Sequence, residues 1–91
     1  MVDTSEIIIT RTFAQLKELR IMIGRKLVKS ASLVETTEGW SVEFKTEYGD
    51  RVFSSSKNAY YPKTFKGFTA PIKMLRKMGF DEVKMVFLKA K

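Results

Sequence analysis

The sequence predicts an α+β fold: a single domain spanning residues 1–91, with a mainly antiparallel sheet and two helices packed on one of its faces. Three observations lead there. Apolar residues recur at helical spacing in two separated stretches, they alternate with period two from Trp40 to Thr46, and glycine-bearing turns separate the extended runs. The expected order is β-α-β-β-β-α-β, an arrangement related to the split βαβ folds.

The β-branched run Glu6-Ile7-Ile8-Ile9-Thr10 suits an opening strand. Thr12-Phe13-Ala14-Gln15 has the pattern of a capping box, in which the Thr hydroxyl accepts from the Gln15 backbone N–H. A first helix is predicted from Phe13 to about Val28, with Phe13, Leu16, Leu19, Ile23 and Leu27 as its stripe. Ala14, Ile21, Gly24 and Val28 widen that stripe into an arc that also contains Lys17 and Arg20. So wide an arc implies contacts on two sides, from the sheet plus a loop or a second copy of the chain. Gly24 inside it costs about 1 kcal/mol of helix propensity, which close packing against a strand would offset. Lys17 and Arg20 either lie at the rim with their stems buried or form an exposed binding face on this helix.

Ser32–Thr37 is a short strand of mixed character. From Trp40 to Thr46, Trp40, Val42 and Phe44 face one side and Ser41, Glu43 and Lys45 the other. Glu38-Gly39 turns into this strand, Tyr48-Gly49-Asp50 turns out of it, and Arg51–Ser55 returns as its partner. Ser54–Asn58 has no periodicity and is predicted as loop. The second helix is expected from Thr69 to Met78, with Thr69 as N-cap, Pro71 in the first turn and Gly79 just beyond the end. Phe68, Ile72, Leu75 and Met78 form its buried stripe, with Met74 beside it. Lys73, Arg76 and Lys77 cluster on the opposite side. Glu82–Leu88, apolar on both faces, is expected as a strand that is central in the sheet or covered on both faces.

The net charge is +7, but it is not spread along the chain. Residues 1–50 carry a net −1, residues 81–91 a net +1, and residues 51–80 hold seven Lys or Arg and no acid. Segregation of this kind points to an anion-facing surface more strongly than the total does. With no cysteine and no histidine, disulfides, thiolate metal sites and the usual neutral-pH general base are all excluded. The acids Glu35, Glu38, Glu43, Glu47 and Asp50 match no Ca²⁺ loop and are expected on a solvated sheet face or paired with basic residues. Ser54-Ser55-Ser56-Lys57 lacks the glycines and following helix of a P-loop, which leaves a small hydroxyl-rich loop able to touch a phosphate backbone. No nucleophile accompanies the carboxylates, so the expectation is a non-enzymatic protein without cofactor or metal. The acidic, polar start MVDTSE and the lack of a long apolar run predict neither a signal peptide nor a membrane span, hence a cytoplasmic protein.

The candidate binding residues lie within KNAYYPKTFKGFTAPIKMLRKMGF, residues 57–80. Lys57, Lys63 and Lys66 on a loop would join Lys73, Arg76 and Lys77 on the second helix to line a phosphate-binding surface. Tyr60, Tyr61 or Phe65 would offer stacking faces, which suits single strands or RNA. The competing reading packs the tyrosines into the loop and Phe65 and Phe68 into the core.

The tail KTFKGFTAPIKMLRKMGFDEVKMV combines a basic Phe-containing approach, an amphipathic helix, Gly-Phe and a Val-rich strand. It resembles segments of small accessory proteins carried by plasmids and phages. The resemblance implies a mobile-element protein that binds nucleic acid or blunts a host defence system, as small anti-CRISPR proteins do, and carries over no functional residue. Two functions are therefore expected: a nucleic-acid or nucleoprotein binder, or an inhibitor docking on a protein or ribonucleoprotein surface. Either is compatible with a monomer or a homodimer.

Overall fold

Trp40, Val42 and Phe44 alternate along one strand, and all three are buried on the side where the core forms. The structure is a computed structural model describing residues 12–55 and 57–88. In chain order the elements are β1 (Phe13–Ala14), α1 (Leu16–Gly24), β2 (Val28–Thr36), β3 (Gly39–Thr46), β4 (Gly49–Phe53), β5 (Thr64–Phe65), α2 (Thr69–Lys77) and β6 (Lys84–Val86). They make an α+β domain whose sheet is mixed, in the order β1-β4-β3-β2-β6, with β5 also paired to β3. The β2–β3, β3–β4 and β3–β5 pairings are antiparallel; β1–β4 and β2–β6 are parallel. The expected opening strand, residues 6–10, lies outside the described residues.

The pairings explain why both helices lie on one face. β1 and β2 run the same way with β4 and β3 between them, so β1-α1-β2 is a split βαβ crossover. β5-α2-β6 is a second one, spanning β3 and β2. Both cross the sheet in the same sense from strands of the same direction, and the right-handed rule then puts both helices on the same side. Leu19 of α1 and Leu75 of α2 accordingly share one core cluster with Ala14, Ala31, Leu33, Trp40, Val42, Phe44 and Phe53.

The two hairpins use one device. Thr36 and Thr46 each donate a side-chain hydrogen bond to the carbonyl of the glycine three residues on, at 2.8 Å to Gly39 and 2.7 Å to Gly49. Each also accepts from a turn N–H, that of Glu38 and Tyr48 respectively. Gly39 has φ +133°, and an added Cβ would collide with the Phe65 carbonyl oxygen, because β5 crosses close beside this turn.

Several expectations are corrected. The predicted capping box does not form: Thr12 O accepts from Val52 N, Ser54 N donates to Ala14 O, and Phe13–Ala14 become a parallel strand on the edge of β4. Satisfying that edge outweighs one more helical turn. Gln15 is the N-cap residue of α1 but makes no side-chain capping bond; its Nε2 donates to Ser55 O at 2.9 Å. The helix also ends sooner than predicted. Lys26 N donates to Ile23 O and Leu27 N to Met22 O, a Schellman motif with Lys26 left-handed at φ +58°. Gly24 is exposed with open space around it, so no strand packs against it. Ser32–Thr36 is part of a longer strand, β2, and Thr37 lies in the turn after it. At the other end α2 closes with the same motif on Gly79, φ +103°. Its N-cap is Phe68, not Thr69, and Phe68 is 48% exposed instead of buried, its ring meeting Trp40 edge-on at 6.0 Å. The last strand is a short edge strand, Lys84–Val86, neither central nor covered on both faces; Val86 is exposed, as are Phe87 and Leu88 beyond it.

Lysine in the left-handed C-terminal position of α1 is strained, so Lys26→Gly is expected to raise stability by about 0.5–1 kcal/mol in urea unfolding. Gly39→Ala should lower it by about 2 kcal/mol or more, since both backbone angle and space oppose a Cβ. A Gly39→Ala chain as stable as the parent would refute the close approach of β5.

Candidate nucleic-acid interface

The segment between β4 and β5 is a closed excursion from the sheet. Lys63 N donates to Phe53 O at 2.9 Å, Ser54 bridges Pro62 in antiparallel fashion, and the Phe53 and Phe65 rings stack at 6.4 Å and 8°. Within the loop Asn58 N donates to Ser55 Oγ at 3.1 Å and Tyr60 N to Asn58 Oδ1 at 3.2 Å, a local turn that gives the backbone partners where no strand does. Lys57, Tyr61 and Lys63 line one shallow depression here, together with Ser55, Asn58, Pro62 and Thr64. Lys63 Nζ stands 5.7 Å from the centre of the Phe65 ring. Tyr60 is 81% exposed and Tyr61 is also on the surface, whereas Phe65 is occupied by Phe53 and is not a free stacking face.

A larger groove of about 800 Å³ runs between α1 and the base of this loop. Its walls combine Lys17, Arg20 and Lys63 with the apolar side chains of Leu16, Ile21 and Phe53, and Gln15, Ser54 and Ser55 complete the lining. Ser54 is buried, and its hydroxyl has no hydrogen-bond partner among the described residues. Arg20 also lines a second groove, of about 280 Å³, between the helices with Leu16, Ile23, Met74, Lys77 and Met78. Arg20 therefore connects the loop cations to the α2 cations, a link that α1 provides and the 57–80 stretch does not contain.

The predicted residues are not all brought together. Lys57, Tyr61 and Lys63 share the loop depression, and Lys77 opens on the groove beside Arg20. Lys73 is exposed on the outer side of α2. Arg76 borders a different groove, on the β6 side, with Ile72, Gly79, Phe80, Asp81, Val83 and Met85. Lys66 and Tyr60 are exposed and line none of these grooves. Lys17 and Arg20 were legible as charges within an apolar arc, Ile21 as a member of that arc and Ser54 as part of a hydroxyl-rich loop; Gln15 was legible only as a helix-capping residue.

Among the described residues the only ion pair is Lys29 Nζ with Glu47 Oε2, at 3.9 Å and exposed, and no described carboxylate pairs with the grooves' cations. Of the acids, Glu35 has a structural part: its Oε1 accepts from Leu88 N at 3.0 Å and ties down the chain after β6. No group of three His, Cys, Asp or Glu side chains among the described residues is arranged to hold a metal. No helix is long and apolar enough to cross a membrane.

No family model, curated protein or solved structure matches this chain.

Because Tyr60 projects into solvent, Tyr60→Ala is expected to leave stability within about 0.5 kcal/mol of the parent by thermal unfolding. A larger loss would show that the ring holds the loop together instead of lying free for a partner.

Proposed function

We propose that this is a small, non-enzymatic protein that binds nucleic acid or a nucleoprotein through its basic loop and second helix. The observation that carries the reading is the run of cations without a pairing acid among the described residues, from Lys57 and Lys63 through Lys17 and Arg20 to Lys77, with Lys73 beside it on α2. Cations left unpaired on one side of a small domain attract a polyanion and release its counterions on binding. The exposed rings of Tyr60 and Tyr61 beside the loop lysines favour single strands or RNA, whose unpaired bases can stack on them. A cytoplasmic protein of a plasmid or phage, acting as monomer or homodimer, is the setting this reading supposes.

A second reading is an inhibitor of a host defence complex, docking on a protein or ribonucleoprotein face. It draws support from the apolar group around Trp40, where Phe68 and the 65%-exposed Phe87 both stand edge-on to the indole and Leu88 is also exposed.

Fluorescence anisotropy with labelled single-stranded DNA, RNA and duplex DNA separates the two. A binder making about five phosphate contacts with a single strand should show log K falling with log salt at a slope near −3.5. Reversing Lys73, Arg76 and Lys77 together to Glu is expected to abolish this binding and leave the fold intact. Undiminished binding by a folded triple variant would remove α2 from the interface. Binding by the parent that disappears near physiological salt would leave only generic attraction and favour the docking inhibitor.

A further inference from the structure

The groove between α1 and the loop base is not a plain phosphate-tracking surface. Three cations stand at its walls, yet Leu16, Ile21 and Phe53 supply much of its lining. Ile21 is the odd member. It is 51% exposed on a short helix whose other large apolar residues turn inward or are half-covered, and an exposed apolar side chain beside cations suits an amphipathic ligand. The start of α1 adds to this. Gln15 stands at the N-cap of α1, but its side chain makes no capping bond and its Nε2 donates to Ser55 O, so the N-cap side chain leaves the first-turn N–H groups of α1 without an acceptor. Glu18 lies in the same turn but does not line the groove.

We infer that this groove holds one unpaired nucleotide: its phosphate among Lys17, Arg20 and Lys63 near the start of α1, and its base against Ile21, Leu16 and Phe53. The inference rests on the nucleic-acid reading for the strand that delivers the nucleotide, and on the groove itself for the nucleotide. A volume of about 800 Å³ lies within the range of small-ligand sites. A base enters such a groove only when it is not stacked in a duplex, so the site selects single strands by shape, independently of the tyrosines. The same chemistry is offered by a free mononucleotide and by a nucleotide within a strand.

The test is amide NMR on the ¹⁵N-labelled chain, titrated separately with adenosine monophosphate, adenosine, inorganic phosphate and a short oligothymidylate. Adenosine monophosphate is expected to shift the amides of Leu16, Lys17 and Ser55, and to bind more tightly than adenosine or phosphate alone. Arg20→Gln, which loses one charged hydrogen bond to the phosphate, should weaken it about tenfold with the rest of the spectrum unchanged. Ile21→Ser should weaken adenosine monophosphate and leave phosphate unaffected. Equal shifts from phosphate and the nucleotide would overturn the inference in favour of a simple anion site. Oligothymidylate binding with no response at the groove would overturn it too, while leaving the basic surface as the nucleic-acid interface. Nucleotide binding at the groove without oligothymidylate binding would uphold the nucleotide site and reject the nucleic-acid reading.

Discussion

Everything in this domain is arranged around the backbone of β3. β2 pairs with it from Gly39 to Thr46 on one edge. On the other edge β4 reaches only from Thr46 to Glu43, and Trp40 and Ser41 are paired by β5 instead. Trp40 and Ser41 are buried, and leaving their backbone groups unpaired would cost the desolvation of each. The chain that leaves the edge at Phe53 must therefore come back to it at Thr64. The excursion between these points is the basic loop, closed at its base by the Lys63–Phe53 hydrogen bond. A surface feature with no regular structure is thus held in place by a sheet that needed one more strand.

The crossovers supply the other half of the surface. Because both split βαβ units cross in the same sense, α1 and α2 lie side by side on the core face, and each has one flank toward the other. Leu19 and Leu75 hold them down from beneath, which leaves Arg20 and Lys77 to meet above. Two cations at the same groove repel each other modestly in water. The arrangement is tolerable in the free protein because both side chains are exposed and screened. An anionic partner between them turns that repulsion into attraction. The same geometry sends Arg76 to the opposite flank of α2, so the three α2 cations fan across the helix's outer side and do not converge on one point.

Aromatic packing divides the molecule's apolar surface into a closed part and an open part. Phe53 on Phe65 and Phe80 near Phe44 finish the core beneath the loop and after α2. Trp40, itself buried, instead gathers Phe68 and Phe87, which remain on the surface. These rings stabilise the start of α2 and the chain after β6, and they also present an apolar area away from the cationic grooves.

Much of the fold was written locally. The period-two pattern of Trp40, Val42 and Phe44, the helical spacing from Ile72 to Met78 and the turn glycines are nearest-neighbour signals, and they determined the α+β class, the central hairpins and the bounds of α2 almost to the residue. The segregated charge of residues 51–80 marked the basic loop and α2 for the same reason: charge is a property of composition, which folding does not alter. What failed locally was decided by distant partners. Phe13 and Ala14 had helical spacing but went to β4, because an unpaired edge outbids one turn of helix. Phe68 continued an apolar stripe yet stayed half exposed, because the stripe says which side a residue is on and not how far the core extends. Lys17 and Arg20 looked like rim residues of one helix. Only the crossover that brings α1 between the loop and α2 makes them the link between two separate groups of cations, since a helix sequence carries its own periodicity but not the identity of its neighbours.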